Sequence, residues 1–181
     1  MDSIDLRSDT VTHPTAAMRE AMGSAQLGDD VYGEDPTVNQ LQDLASELTG
    51  KEAGLFVASG TMGNVAAILA HTRRGDEVIC GLQSHMYRNE QGAMSALAGA
   101  QARPLQEKQD GTLDLDEIAA AIQTSDDHHP ITRMVAVENT HNLCGGVPTS
   151  AAYMQAVGEL AHRRGLIMHL DGARLFNAAV A

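Results

Sequence analysis

The sequence predicts an α/β fold, a mostly parallel sheet with helices on both faces. Three observations predict it. Short apolar runs alternate along the chain with segments of helical periodicity, the pattern of strands joined by helical crossovers. Length (181 residues) and a 43% hydrophobic share suit one globular domain or most of one. No repeat, low-complexity tract or linker interrupts the alternation. Only five residues are aromatic (Phe 2 plus Tyr 3), so the core must be built from Ala, Leu, Val, Ile and Met with close packing between elements.

The elements follow in order. After an apolar run at 4–6, residues 12–22 read as a short helix, with Pro14 suited to its first turn and Gly23 to its end. Pro36 opens a second helix whose apolar face is Val38, Leu41, Leu44 and Leu48, and Gly50 stops it. Residues 54–58 read as a buried strand, 59–64 as a turn and 65–71 as helix. Residues 77–80 form the next strand, 89–99 a helix weakened by Gly92, and 102–105 a short strand. Asp114 with Glu117 three residues later marks a capping box for a helix over 115–122. A strand at 134–137 follows. Thr149 or Ser150 then caps a helix to about Arg164, with Gly165 at its end. A strand at 166–170 leads to a last helix from Arg174. Residues 174–181 are apolar and have no cap or polar tail. Natural termini are usually polar and frayed, so the chain reads as cut inside an element of a larger protein.

Charge and composition narrow the function. A net charge of −12 argues against nucleic acid, whose phosphate backbone needs clustered Lys and Arg. No apolar run approaches the ~18 residues of a membrane span, and residues 1–7 have no signal-peptide pattern. Cys80 and Cys144 are far apart and unpatterned, and read as two buried thiols of a cytoplasmic protein.

Ligands of such folds sit outside the carboxyl ends of the strands, and four polar segments fall there. Ser59-Gly60-Thr61-Met62-Gly63-Asn64 lies between strand and helix. It reads either as a tight turn with a capping Ser or Thr, or as an anion cup of free N–H groups. His85 lies five residues past a strand. It is a surface-loop histidine, or one that stacks on a flat cofactor or moves protons. Glu138-Asn139-Thr140-His141-Asn142 follows an apolar strand directly, as a bonded loop or a site lining. Asp171, in His169-Leu170-Asp171-Gly172-Ala173-Arg174, pairs with Arg174 or holds a protonated pyridine nitrogen. Asp126-Asp127-His128-His129 reads as a solvated loop, and no metal site is expected, since no second cluster has ligand spacing. A phosphate cup, a ring stacker, an acid for a ring nitrogen and an Arg together describe a pocket for pyridoxal 5'-phosphate.

Five blocks carry a resemblance. Ile4-Asp5-Leu6-Arg7-Ser8-Asp9-Thr10-Val11-Thr12 and Gly28-Asp29-Asp30-Val31-Tyr32-Gly33-Glu34-Asp35-Pro36 join the blocks at 59–64, 138–142 and 169–174. In that order they resemble the low-specificity L-threonine aldolases, fold-type I pyridoxal-phosphate enzymes of the β-eliminating-lyase superfamily. The resemblance runs from residue 4 to the last residue. It implies that Gly60 and Thr61 bind the cofactor phosphate, and that His85 stacks on the ring and serves proton transfer. It implies Asp171 at the ring nitrogen, Arg174 at the phenolate side and Ser8 at the substrate carboxylate. Asn139 and His141 are implied as support, and His128 or His129 matches a family histidine that reaches a neighbouring active site. The implied reaction cleaves L-threonine, L-allo-threonine or another β-hydroxy-α-amino acid to glycine and an aldehyde. The alternatives are another lyase of the superfamily, acting on phenylserine or eliminating at Cβ, and a non-catalytic fragment. The resemblance further implies a homo-oligomer, dimer or tetramer. The family's cofactor lysine, substrate-carboxylate Arg, last sheet strands and small C-terminal domain lie further along than this chain. Its two lysines, Lys51 and Lys108, fall in no matching motif. The expected sheet therefore lacks its last strands and exposes an apolar edge.

Overall fold

The structure, a computed structural model, describes residues 4, 5 and 7–181. Leu6, part of the first apolar run and of the first block, lies outside the described residues, as do residues 1–3. The chain forms two compact units, one ending at Phe56 and the other Val57–Ala181.

The first unit contains 3-10 turns at Asp9–Val11 and Asp30–Tyr32 and two helices, α1 (Ala16–Ser24) and α2 (Pro36–Thr49). Helix α1 starts later than the periodicity predicts. Thr15 is the residue that caps it, accepting from the Met18 N–H at 3.2 Å, so Pro14 stays outside the first turn. Helix α2 has the predicted ends. Pro36 follows the Asp35 cap, whose Oδ1 accepts from Thr37 and Val38 N–H groups at 2.9 Å each. Those donors, with the Gly28 N–H, hold the Asp35 carboxyl below the usual range. Gly50 closes the helix in the left-handed region at φ 62.

In the second unit come α3 (Gly60–His71), β1 (Glu77–Gly81), α4 (His85–Arg88), α5 (Ala93–Ala96) and β2 (Gln101–Leu105). Next are α6 (Leu115–Ala121), β3 (Thr132–Glu138), α7 (Ala151–Arg163), β4 (Ile167–Asp171) and α8 (Leu175–Val180). The four strands run in the order β2-β1-β3-β4, and every pairing is parallel. Side-chain alternation sends Val78, Cys80, Met134 and Ala136 to a cluster with Ile68, Met86 and Met94. Ile79, Val135 and Val137 go to a second cluster with Ile118, Val157 and Leu160. Both faces are thus covered, and all four strands present their carboxyl ends to one edge of the sheet.

Two sequence expectations fail. Residues 54–58 are not a strand: the sheet takes no fifth member among the described residues, and the boundary between units falls after Phe56. The Phe56 N–H is bonded to the Gln42 side chain at 2.8 Å instead of to a strand. The helix expected over 89–99 is broken, because Gln91 (φ 57) and Gly92 (φ 67) are both left-handed and a right-handed helix cannot pass through them. Of the two thiols, Cys80 is buried and its pKa is pushed up by burial to about 12, whereas Cys144 is partly exposed.

Candidate active site

Helix α3 begins at Gly60, five residues earlier than the sequence predicts, and so takes in most of the turn expected over 59–64. Ser59 caps it, its hydroxyl accepting from the Met62 N–H at 3.1 Å. The first backbone bond of the helix runs from the Gly63 N–H to the Ser59 carbonyl at 3.0 Å. The N–H groups of Gly60 and Thr61 precede it and meet no acceptor among the described residues. A Cβ at Gly60 would meet nothing within 4 Å, so the chain itself makes no steric demand for glycine there.

The same helix turn reaches the end of β4 through Asn64, which is buried. Its amide nitrogen donates to Asp171 Oδ2 at 2.9 Å and to Glu90 Oε1 at 2.8 Å, and its oxygen lies 2.9 Å from His169 Nε2. His169 and Asp171 are two residues apart on β4 and so share a face. Burial pushes the His169 pKa down, partly opposed by Asp171 and Glu90, which keeps the ring neutral near pH 7. Asp171 Oδ1 also accepts from the Ala173 N–H at 3.2 Å.

His85 stands at the start of α4, beyond β1. Its Nδ1 lies 2.9 Å from Glu90 Oε1, and its backbone N–H donates to Glu138 Oε2 at 2.8 Å. Ligand atoms of His85, Glu90 and Asp171 fall within 4.8 Å of one another. Glu138 Oε1 accepts from the Asn142 N–H at 2.9 Å, and Asn142 Oδ1 accepts from Arg174 Nη1 at 3.1 Å. A second buried acid, Glu107, accepts from the Gln83 N–H at 2.7 Å and lies 3.2 Å from His141 Nε2. Glu138 and Glu107 therefore fasten the loop after β1, which carries His85, to the loop after β3.

The structure thus places Gly60, Thr61, His85, Asp171 and Arg174 at the carboxyl edge of one sheet. Asn139 closes the loop after β3, exchanging two hydrogen bonds with the Thr149 backbone at 3.1 and 3.2 Å. Ser8 belongs to the first unit, where its hydroxyl accepts from the Thr10 N–H at 3.2 Å. His128 is bonded to Asp126 at 2.8 Å in an exposed loop. Sequence reasoning missed Asn64, Glu90 and Glu107 as connecting groups. Asn64 had a signal: it is a polar residue ahead of the apolar run Val65-Ala66-Ala67-Ile68 on one helix, and a buried amide needs partners. Glu90 had none, since the chain breaks its helical course just after it.

Comparisons with known proteins agree with the fold. The family model described as beta-eliminating lyase matches residues 5–181. The low specificity L-threonine aldolase of Escherichia coli K12 is 49% identical over 178 residues, 98% of this chain and 53% of the relative. A probable low-specificity L-threonine aldolase 2 of Arabidopsis thaliana is 48% identical over 182 residues, 99% of this chain and 51% of the relative. The solved threonine aldolase of Leishmania major superposes with a TM-score of 0.74 at 26% identity, covering 88% of this chain and 45% of that one. The chain spans about half the length of the curated relatives it matches.

Proposed function

This chain belongs to the beta-eliminating lyase family, and on that premise we propose that the protein is a pyridoxal-phosphate-dependent aldolase. It cleaves L-threonine, L-allo-threonine and related β-hydroxy-α-amino acids to glycine and an aldehyde. The observation that carries the reading is the junction at Asn64. One helix turn joins two unused N–H groups, at Gly60 and Thr61, to an acid at a strand end and, through Glu90, to His85.

The donor set fits the cofactor. The N–H groups of Gly60 and Thr61, the Thr61 hydroxyl and the helix dipole suit a phosphate, and Gly60 leaves open space where a Cβ would stand. Asp171, fixed by Asn64 and Ala173, has a carboxylate suited to a protonated pyridine nitrogen. When bound, pyridoxal phosphate supplies the sink for the electron pair released as Cα–Cβ breaks. The chain's own residues do the rest. Asp171 would hold the ring nitrogen protonated. Arg174, bonded to Asn142, would serve the phenolate side. His85, its backbone anchored by Glu138, would stack on the ring and accept a proton from the β-hydroxyl. Ser8 would bind the substrate carboxylate. Within the second unit the one lysine, Lys108, is not part of this cluster but is paired with Asp114 at 2.7 Å. Assembly as a homo-oligomer and a cytoplasmic location go with the same reading.

Product analysis tests it. The full-length gene product, supplied with pyridoxal phosphate and L-threonine, is expected to release glycine and acetaldehyde in equal amounts. Release of ammonia and a keto acid instead would assign it to elimination at Cβ, and absence of turnover on every β-hydroxy-α-amino acid would overturn the aldolase reading.

A further inference from the structure

We propose that Glu90 is a positioning residue that fixes the neutral His85 imidazole as its Nδ1–H tautomer, so that Nε2 is the ring's proton-accepting atom. The proposal deepens the aldolase reading and rests on it for its catalytic meaning. The geometry itself stands on this chain alone.

The argument begins at Asn64, whose amide can be placed only one way. Its nitrogen faces two carboxylate oxygens, Glu90 Oε1 at 2.8 Å and Asp171 Oδ2 at 2.9 Å. Turned over, the amide would set its oxygen against both acids and its NH2 against His169 Nε2. In the observed placement Asn64 Oδ1 accepts from His169 Nε2 at 2.9 Å, which makes His169 the Nε2–H form. An amide nitrogen only donates. Glu90 Oε1 therefore accepts from Asn64, and as a carboxylate oxygen it has no proton of its own to give.

That same oxygen lies 2.9 Å from His85 Nδ1. Two acceptors cannot share a hydrogen bond, so Nδ1 is the donor. A neutral imidazole has one N–H, which leaves Nε2 with its lone pair. The Glu90 side chain is 2% exposed, whereas His85 keeps 40% of its side-chain surface open. The acid is thus enclosed and held by Asn64 on one side, while the ring it orients remains accessible. The carboxylate also stabilises the imidazolium that forms when Nε2 takes a proton, the role an orienting acid has beside a catalytic histidine. The His85 backbone N–H is bonded separately, to Glu138 at 2.8 Å, so ring orientation and main-chain placement are controlled by different acids.

Nitrogen-15 NMR of histidine-labelled chain tests this without cofactor or substrate. The His85 signals are identified by their loss in His85→Asn, and spectra are taken at a pH where the ring is neutral. His85 Nδ1 is expected at the shift of a protonated ring nitrogen and Nε2 at that of an unprotonated one. Glu90→Met keeps the length of the side chain but removes the acceptor. It is expected to move His85 towards the Nε2–H tautomer that free imidazole side chains prefer in water. Glu90→Gln keeps Oε1 as an acceptor and is expected to retain Nδ1–H, a rescue that simple packing would not discriminate. The His141 and His169 signals report whether each variant is folded. A native chain with His85 as Nε2–H overturns the proposal even if Glu90→Met does not fold, and so does a folded Glu90→Met with the native tautomer. Failure here leaves the product assay untouched, and failure of that assay leaves the tautomer measurement standing.

Discussion

An amide offers two N–H donors and one strong acceptor, and at Asn64 all are spent within 2.9 Å, on Glu90, Asp171 and His169. Removing it strands three buried or half-buried polar groups at once. Replacing Asn64 by Ala is expected to destabilise the fold by about 1–3 kcal/mol, the cost of leaving such groups unpaired, measured as a lowered urea midpoint. Asp171→Ala acts elsewhere. It removes the ring-nitrogen partner and leaves Gly60 and Thr61 in place, so the full-length enzyme should still bind pyridoxal phosphate while turnover falls by at least about a hundredfold. Unchanged turnover would reject the role given to Asp171. The motif residues Gly60, Thr61, His85, Asp171 and Arg174 stand out in the sequence because each follows or precedes a recognisable strand or helix end. Glu90 does not. What it does depends on an amide 26 residues away, a relation that no local pattern carries.

Caps explain why most elements were legible. Asp35 with Gly50, Asp114 and Ser150 each mark a helix end by side-chain chemistry that acts within three residues, and those helices begin where the sequence places them. Ser59 belongs to this group and has a second consequence. Its hydroxyl takes the Met62 N–H, while the N–H groups of Gly60 and Thr61, proposed above for the phosphate, meet no acceptor among the described residues. Ser59→Ala should cost about 1 kcal/mol of stability and also loosen the first turn of α3, so the test is a thermal midpoint paired with a pyridoxal-phosphate titration. A lower midpoint with weakened binding is the expected pair, and unchanged binding would detach the cap from the phosphate site. Residues 54–58 were misread for the opposite reason. A strand exists only with a neighbour, and the apolar run Gly-Leu-Phe-Val-Ala says nothing about whether the sheet has a place for it. Position 92 was half legible: glycine warns of a break, but the left-handed Gln91 beside it is set by tertiary structure.

At the scale of the molecule, parallel strands order all the chemistry onto one edge, and a chain of charge −12 gathers Glu90, Glu107, Glu138 and Asp171 there. Backbone and side-chain N–H donors reach each of these acids. Beside these acids stands His169, half-buried on β4 with its Nε2 2.9 Å from Asn64 Oδ1. Its pKa is lowered from 6.5, chiefly by burial. The sign follows from linkage: the unfolded chain takes up a proton near pH 6.5 that the folded chain refuses until a lower pH, so the unfolded state binds more protons in that window. His169 therefore favours the fold fully above pH 6.5, and that contribution is lost as pH falls towards its folded value. Other carboxylates and histidines also titrate in acid, so the comparison must cancel them. His169→Gln keeps an N–H for Asn64 Oδ1 and cannot protonate. Urea unfolding of the chain and of this variant at pH 8 and pH 5.5 should show the stability difference shifting in favour of the variant at the lower pH. A difference that stays constant between the two pH values would mean that the His169 proton is bound as readily in the folded chain as in the unfolded one.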